Sequence, residues 1–523
     1  MAAQRRKRSP SSGGRKLPDA MLSLTLYLKR RPQRRPGSAA DLAALGERVS
    51  HRQLERERKK VLARPIAKVR RFAERHALRV ASVDALRSRV KISGRRSDVE
   101  RAFSVQLRVV EHAGSSYRCP ARAPRMPAAL ADVVEAVLGL DQRPRFGRLR
   151  AMAGPPGQDG LFPAAIAQLY GMTTVGRGAG QCIGIVEPSG GYDRNDVAAA
   201  CRAMNLPVPR LTDINVGKGR NAFGTDATAD KEVSLDVQVA AGTAPAARVV
   251  VYFTEANEQG FVDGVTAAVH DKINRPSVVI VTWGEPEAFW PAPARKALDA
   301  VLADAVRLGI TVVAAAGDDL ATERMNDGKA HVDYPASSPY VLGCGGTAVT
   351  LDATGSAIVD EVVWGDGTIG TGGGISTLYP VPAFQKSAKV PPSVNDGRRG
   401  RGVPDVAAAA AETNGYRIIL NGAETVASGT SAVAPLWGAF LALVNAQRGR
   451  SIGFVNTALY ARPMLLKVIT SGSNIDRFEN IGYTAGPGWS ACTGLGVPKG
   501  ADILAALGAA APAAIASAKV RAR

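Results

Sequence analysis

Short runs of Val, Ile and Ala that alternate with helical stretches constrain the fold of this 523-residue chain more than any other feature. Strands that are apolar throughout belong in a parallel sheet covered by helices on both faces, so the pattern predicts an α/β domain over 161–508. Functional residues of such sheets gather at the carboxyl ends of the strands, where Glu187, Trp283 and Asp318 fall. The runs are "QCIGIVEP", "ARVVVYFT", "PSVVIVTWG", "GITVVAAAGD" and "YVLGCGGT".

The basic character of the chain is confined to its N-terminal part. Residues 1–150 hold 37 Lys and Arg against 13 Asp and Glu, whereas residues 151–523 hold 30 against 33. Runs such as "RRKR" have no aromatic platform beside them, so a solvated charged face is favoured over nucleic-acid binding. No segment reaches the ~18 to 20 apolar residues of a membrane span. We therefore predict neither a nucleic-acid nor a membrane partner.

Composition divides the chain further. Residues 1–20 are rich in Arg, Ser and Gly and predict a disordered basic leader, while strand-like and helix-like pieces alternate over 21–142 and predict a small α+β domain. The Gly-, Pro- and Arg-rich stretch 143–160 predicts an exposed linker, and 509–523 an Ala/Pro-rich tail. The five cysteines are few and widely spaced, which indicates neither a disulfide framework nor a zinc site.

One hydroxyl, that of Ser431, stands between small residues and an apolar helical segment in "VASGTSAVAPLWGAF". A Gly-Thr-Ser turn that leads into a helix would expose this hydroxyl and aim backbone N–H groups past it, as acyl transfer requires. Serine before an apolar run is also a common helix N-cap. The turn alone leaves both interpretations open, because a nucleophile needs a base.

Histidine is a poor candidate for that base, because His270 and His331 both lie in settings typical of structural residues. Glu232 and Asp236, in "ATADKEVSLDVQVAAGTAP", are four residues apart and fall on one face of a predicted helix. Two stacked acids tend to share a proton. A solvated acidic stripe is the alternative, but the helix continues into small apolar residues and should be covered, which favours a functional pair.

Asp318 follows the buried run "VVAAAG" and is either a turn-forming aspartate or a site residue. If protonated, it could donate a hydrogen bond to a developing oxyanion, which requires acid conditions. The glycine-rich segment 367–374 lacks the lysine of a phosphate-binding loop and indicates a flexible turn instead.

Several long motifs occur in one order along residues 20 to 508, among them "SGRRSDVERAFSVQL", "KEVSLDVQVAAGTAP", "HVDYPASSPYVLGCGGT", "SGTSAVAPL" and "AGPGWSACTGLG". In these motifs the chain resembles the sedolisins, or serine-carboxyl peptidases, and especially their kumamolisin-like proenzymes. The resemblance implies a subtilisin-like fold with a seven-stranded parallel sheet. It also implies a ferredoxin-like α+β activation prodomain that inhibits the peptidase until the linker 143–160 is cut.

The same resemblance implies a role for each candidate residue. Ser431 is the nucleophile, Glu232 its general base, and Asp236 supports Glu232. Asp318 is the acid of the oxyanion hole, and Glu187 and Trp283 extend the hydrogen-bond network behind the acids. A carboxylate suits a working pH of ~3 to 5, at which imidazole would be protonated. The expected function is an acid-active, self-processing endopeptidase; a weak or inactive sedolisin-like binding protein is the alternative.

The sequence departs from the family's pattern after Asp318. Where the family usually continues with Ser-Gly, this chain reads "DLATERMNDG", so Asp319 and Leu320 stand where small residues would line the primary specificity pocket. Asp333 matches a family acid near that pocket. The resemblance therefore does not carry over a substrate preference.

A second departure concerns calcium. The family holds one calcium ion with two aspartates and backbone oxygens near the C-terminus, but Val468 and Ser490 occupy the aspartate positions here. Loss of ligand charge weakens calcium binding, so we expect no site or a weak one. Asp476 and Glu479 could compensate, although solvated loop acids are the favoured interpretation. Lys467 could alternatively place its ammonium group in the vacated space.

The remaining expectations concern the setting of the protein. Its predicted partners are protein or peptide substrates and its own prodomain, and it is expected to be a monomer. The resemblance implies secretion or an acidic compartment outside the cytoplasm, although the sequence contains no recognisable signal peptide.

Overall fold

A computed structural model describes residues 18–30, 36–45, 48–112, 115–145, 152–153 and 160–509. They form two compact units. The first takes in the described residues up to Arg31, together with Glu55–Arg145 and Asn257–Gln259, and the second takes in the remainder. Most of the predicted basic leader, most of the predicted linker and nearly all of the predicted tail lie outside the described residues.

The N-terminal part of the chain forms an antiparallel sheet with helices and a separate hairpin. The sheet has the order β2-β3-β1-β6, and β4 pairs with β5. Leucines of β1 pack with residues such as Phe72 and Phe103 in the core of the first unit. The elements are β1 (Met21–Leu28), α1 (Ala39–Leu45), α2 (His51–Arg75), β2 (Arg79–Asp84), β3 (Arg89–Arg95), α3 (Arg96–Phe103), β4 (Leu107–His112), β5 (Ser115–Pro120) and β6 (Val134–Leu138).

The second unit is built around a large sheet. The strands of the second unit, some of which form small separate sheets, are β7 (Met152–Ala153), β8 (Cys182–Glu187), β9 (Leu211–Asn215), β10 (Arg248–Phe253), β11 (Val278–Val281), β12 (Glu285–Pro286), β13 (Thr311–Ala315), β14 (Asp333–Tyr334), β15 (Leu342–Leu351), β16 (Ile358–Val363), β17 (Gly374–Ile375), β18 (Gly402–Val403), β19 (Val406–Ala409), β20 (Tyr416–Leu420), β21 (Ala423–Ser428), β22 (Leu466–Lys467) and β23 (Val497–Pro498).

The helices that follow the N-terminal part are α4 (Pro163–Leu169), α5 (Arg194–Ala203), α6 (Ala227–Thr243), α7 (Glu258–Val269), α8 (Ala292–Leu308), α9 (Thr430–Arg448), α10 (Asn456–Tyr460) and α11 (Gly500–Leu507). Short 3₁₀ helices occur at Glu287–Phe289, Ala383–Ala388 and Pro463–Leu465. Among the described residues, no helix is both long enough and apolar enough to cross a membrane.

The predicted parallel sheet is confirmed. Strands run in the order β9-β10-β8-β11-β13-β15, all parallel, and β15 pairs further with the parallel strand β19 and the antiparallel strand β16. From the central strand β8 the chain first builds β9 and β10 on one side and then returns to build β11 on the other. The carboxyl ends of β8 and β11 therefore flank a topological switch point, where α/β proteins form their sites.

Helices cover both faces of this sheet. Ile183 and Ile185 of β8 belong to the apolar cluster that contains α6 and α9, whereas Val186 lies against Gly264 of α7. Helix α9 lies especially close, since a Cβ atom at Gly438 would be 2.8 Å from Ile280 of β11. All five cysteines are buried free thiols.

Candidate active site

Ser431 is the second residue of helix α9, immediately after the turn that follows β21. The N-cap is Gly429, whose φ of 114° is a conformation that suits glycine and which has no side chain with which to cap the helix. Ser431 therefore does not serve as the cap that its sequence context allowed. Its hydroxyl is buried and has no hydrogen-bond partner among the described residues.

Glu232 lies on helix α6, which begins after the N-cap Asp226 and is buried along almost its whole length. Burial raises the pKa of Glu232 well above its ordinary value, and repulsion from Asp236 adds to the rise. The nearby Ser431 hydroxyl lowers that pKa, although no hydrogen bond of ordinary geometry reaches either Glu232 oxygen among the described residues. The serine and the glutamate are thus neighbours whose contact is looser than a formed hydrogen bond, as is common before substrate binds.

Asp236 and Glu187 form a buried carboxyl pair behind Glu232. Thr282 Oγ1 donates to Asp236 Oδ2 at 2.7 Å, and Trp283 Nε1 donates to Glu187 Oε2 at 2.7 Å. The other oxygen of each carboxyl group is buried and has no hydrogen-bond partner of ordinary geometry among the described residues, an arrangement suited to one shared proton.

The proton of this pair belongs mainly to Asp236. Burial raises the pKa of Asp236 well above its ordinary value, and both repulsion from Glu187 and the hydrogen bond to it act in the same direction. Burial also raises the pKa of Glu187, to about 8, while hydrogen bonds from Trp283 and Asp236 lower it. Asp236 therefore donates and Glu187 accepts, which orients the pair.

Asp318 follows β13 and faces the first turn of α9. Its Oδ1 accepts hydrogen bonds from the backbone N–H and the hydroxyl of Thr430, both at 2.7 Å. Burial raises the pKa of Asp318 to about 7, although the bonds from Thr430 oppose the rise. Its Oδ2 is buried and has no partner among the described residues. A proton on Oδ2 would make this oxygen a hydrogen-bond donor, held in place by Thr430, the residue that precedes Ser431.

The two histidines of the predicted peptidase domain are engaged with other carboxylates. His270 Nε2 lies 2.9 Å from Asp304 Oδ2, and His331 Nε2 lies 2.9 Å from Asp327 Oδ1. The titratable groups whose charges raise the pKa of Glu232 instead include Asp236 and Asp318. The arrangement can therefore supply a hydroxyl nucleophile, a carboxylate base and a carboxylic-acid donor.

Comparisons with known proteins place this arrangement in a family. Residues 15–143 match the "Pro-kumamolisin, activation domain" model, and residues 217–457 match the "Subtilase family" model. The chain is 39% identical to kumamolisin from Bacillus sp. (strain MN-32) over 511 residues, which cover 94% of this chain and 92% of that protein. The chain belongs to the sedolisin family of serine-carboxyl peptidases.

More distant members of the family also match. Tripeptidyl-peptidase sed5 from Aspergillus fumigatus is 31% identical, with 71% of this chain and 70% of that protein covered. The solved structure of a Pseudomonas sedolisin, described as a serine-carboxyl proteinase complexed with two molecules of pseudo-iodotyrostatin, superposes with a TM-score of 0.59 at 27% identity. It covers 66% of this chain and 98% of the sedolisin chain. The protein is accordingly a serine peptidase with an activation domain.

The predicted specificity-pocket residues differ in their surroundings. Asp319 forms an ion pair with Arg324, with 2.8 Å between Oδ1 and Nε. Leu320 is only 1% exposed, and its side chain packs toward Gly365 and Gly370. Asp333, on β14, is likewise 1% exposed, and its Oδ1 has no partner among the described residues. Whether these three contact substrate stays a prediction.

Glu323 was missed by the sequence reasoning. A Cβ atom added at Gly317 would lie only 2.2 Å from Glu323 Oε1, so this carboxyl group lies directly beside the residue that precedes Asp318. Oε1 is buried without a hydrogen-bond partner among the described groups. Glu323 stands in a loop that no apolar pattern anchors, so only the unusual acid content of "DDLATE" could have indicated it.

The residues at the family's calcium positions do not fit that ion. Val468 has no side-chain oxygen, and Ser490 Oγ lies 3.0 Å from Thr493 Oγ1. The two acids for which compensation was the less favoured alternative both accept hydrogen bonds: Asp476 Oδ2 from the hydroxyl of Thr322 at 2.8 Å, and Glu479 Oε2 from the N–H of Gly328 at 2.6 Å. Lys467 Nζ lies 3.8 Å from Glu361 Oε2.

Proposed function

We propose that this protein is an acid-active endopeptidase that forms an acyl-enzyme on Ser431, with Glu232 as general base and Asp318 as the oxyanion donor. The observation that carries the proposal is the unpartnered, buried hydroxyl of Ser431 beside Glu232 in an acid cluster. A buried hydroxyl without a hydrogen bond costs free energy, and such a cost persists at sites where substrate completes the bonding.

The chemistry follows from the proton positions. Ser431 Oγ attacks the peptide carbonyl carbon and transfers its proton to Glu232, while the carbonyl oxygen gains negative charge and accepts a hydrogen bond from Asp318 Oδ2. Glu232 then protonates the leaving amine as the C–N bond breaks. Water attacks the acyl-enzyme in the second half and loses its proton to Glu232, which then protonates Ser431 Oγ as the acyl C–O bond to Ser431 breaks and the carboxylic acid product leaves.

The mechanism needs an ionised Glu232, although burial and the charges of Asp236 and Asp318 raise its pKa; protons held on Asp236 and Asp318 remove that repulsion. Glu232, Asp236 and Glu187 repel one another when charged, so they lose protons one after another over a wide pH range. A single negative charge shared within the network can lie on Glu232 while Asp236 keeps its proton and donates it to Glu187. Trp283 donates to Glu187 and thereby orients this carboxyl group as the acceptor for Asp236.

We propose further that the chain processes itself within residues 143–160. Met152 and Ala153, from this stretch, pair as β7 with Ser428 and Ala427 at the carboxyl end of β21, three residues before Ser431. This proximity supports cleavage of the linker by the same site. The N-terminal domain would then act as an intramolecular inhibitor, as its match to the activation-domain model suggests. We propose that the enzyme is a monomer that acts outside the cytoplasm in an acidic setting.

The test compares the full chain with its Ser431→Ala variant at pH ~4. The wild type is expected to lose its N-terminal domain, to show a new N-terminus within 143–160, and to degrade a denatured protein substrate. The variant should stay intact and inactive with an unchanged circular dichroism spectrum. Equal turnover by both proteins would refute the assignment, and an intact, inactive wild type would favour the sedolisin-like binding protein.

A further inference from the structure

One face of helix α6 is fastened to the hairpin that β20 and β21 form. Gln238 and Ile419 exchange two hydrogen bonds: Gln238 Nε2 donates to Ile419 O at 2.7 Å, and Ile419 N donates to Gln238 Oε1 at 2.8 Å. Two helical turns earlier, Lys231 Nζ donates to Val426 O at 2.9 Å. Residues seven apart on a helix lie on one face, so Lys231 and Gln238 face the hairpin together.

The same hairpin leads to the proposed nucleophile, because Ser431 comes three residues after the end of β21. Lys231 and Glu232 are adjacent on α6 and reach this part of the chain at two places. Lys231 binds Val426 within β21, and Glu232 lies beside the Ser431 hydroxyl. The hydrogen bond of Lys231 therefore limits how far Glu232 can move relative to that hydroxyl.

Fastening the helix does not by itself require a lysine. A backbone carbonyl needs one donor, and the neutral amide of Gln238 supplies such a donor on the same face. Lys231 is only 9% exposed, and burial lowers the pKa of its ammonium group to about 8. Burial of a cation costs free energy that a neutral donor would avoid. A positive charge at this position therefore indicates an electrostatic role.

The charge of Glu232 favours the ammonium form of Lys231. It raises the pKa of Lys231 and so opposes the effect of burial. The interaction is mutual, so the Lys231 ammonium group lowers the pKa of Glu232. Asp236 and Asp318 act in the opposite direction, because their charges raise the pKa of Glu232. At pH ~4, far below its own pKa, Lys231 is fully charged.

We propose that Lys231 is a positioning residue for the general base: its ammonium group holds α6 to β21 and stabilises the ionised form of Glu232 in acid. The inference rests on the proposed function, in which Glu232 takes the proton of Ser431. Lys231 acts on the reaction through Glu232, since its own ammonium group donates to Val426 O. It places a positive charge next to a base that is otherwise surrounded by acids.

This charge should set the acid limb of the pH–rate profile, because the acid limb of kcat/KM reports protonation of the base in the free enzyme. Removal of the charge leaves the repulsion from the acids uncompensated, so Glu232 should ionise at higher pH. The described groups that act on Glu232 or on its partners are Lys231 and Asp236 on α6, Glu187 at the end of β8, Thr282 after β11, Asp318 after β13 and Ser431 on α9.

The test measures kcat/KM of the processed enzyme on one peptide from pH ~2 to ~7. Lys231→Gln keeps an N–H donor but loses the charge, so its acid limb should move up by about one pH unit, with about a tenfold loss of kcat/KM on that limb. Lys231→Arg keeps the charge and should leave the limb in place. Lys499→Gln is the matched control, because Lys499 is exposed and also donates to a backbone carbonyl, Met464 O, at 3.1 Å.

An acid limb that stays in place in Lys231→Gln, or moves equally in Lys499→Gln or Lys231→Arg, would overturn the proposal while leaving the peptidase assignment intact. A higher KM at every pH with an unmoved limb would overturn it too, by showing that Lys231 contacts substrate instead. Lys231→Met is a second uncharged variant. If neither uncharged variant folds by circular dichroism whereas Lys231→Arg does, the charge stabilises the fold and not the base, which also overturns the proposal. A wild type without activity at any pH would refute the peptidase assignment itself.

Discussion

Replacing Asp318 by Asn should make the peptidase domain less sensitive to rising pH. Asn offers an oxygen for the two hydrogen bonds from Thr430 and an N–H₂ group in place of the protonated Oδ2, so it imitates the neutral acid at every pH. Wild-type Asp318 has to ionise in a buried position as the pH rises, whereas Asn does not.

The magnitude follows from the pKa of Asp318, which burial raises from 3.8 to about 7. The fold favours the protonated form, so its stabilisation is complete below pH ~4 and is lost as the pH rises through about 7. A separation of this size corresponds to ~4 kcal/mol of unfolding free energy by pH ~8. Since Asp318 is only 1% exposed, solvent screening does not reduce this figure substantially.

The assay is urea unfolding at pH 4 and pH 8 in a Ser431→Ala background, which prevents self-cleavage. Between these pH values the Asp318→Asn double variant should lose up to ~4 kcal/mol less stability than the Ser431→Ala single variant. Other acids contribute equally to both proteins and cancel in the difference. Equal losses of unfolding free energy in the two variants would show that Asp318 ionises in the folded state without a free-energy cost. That result would refute both its raised pKa and its proposed role as a neutral donor.

Three further predictions concern separate parts of the fold. Trp283→Phe removes the donor that orients Glu187 toward Asp236, so kcat at pH 4 should fall at least about tenfold; an unchanged kcat would contradict this. Gly438→Ala should destabilise the domain by about 1–2 kcal/mol in urea unfolding, because the new Cβ meets Ile280 at 2.8 Å, although better helix propensity offsets part of the cost. The melting temperature should be the same in millimolar calcium as in a chelator, because Ser490 supplies no negative charge to bind the ion. A rise of many degrees in calcium would show that other oxygens bind it.

The central sheet was predictable because its strands are apolar on both faces. The run "PSVVIVTWG" gave β11 (Val278–Val281), and "QCIGIVEP" gave β8 with Glu187 as its last residue. Strand β9 was not predicted, because its sequence "LTDIN" is mostly polar and only its pairing with β10 makes it a strand. An edge position tolerates polar residues that an interior strand would not.

The candidate site was predictable where local spacing determines contact. Glu232 and Asp236 are four residues apart on one helix, so their proximity follows from helix geometry. Glu323 depends instead on the loop after β13, and its place beside Gly317 follows from contacts with a segment about 150 residues away in sequence. Asp476 was mispredicted for the same reason. Its sequence context suggested a solvated acid or a metal ligand, whereas in the structure it accepts a hydrogen bond from Thr322 in that loop.

The proposed mechanism requires opposite protonation states of Glu232 and Asp318. This requirement sets an upper pH limit for activity that does not depend on the prodomain. Glu232 has to be ionised to accept a proton, whereas Asp318 has to be protonated to donate to the oxyanion. Above about pH 7 Asp318 loses its proton, and its negative charge would then repel the oxyanion that it stabilises in acid. A processed enzyme returned to neutral pH should therefore become inactive without unfolding and regain activity on acidification.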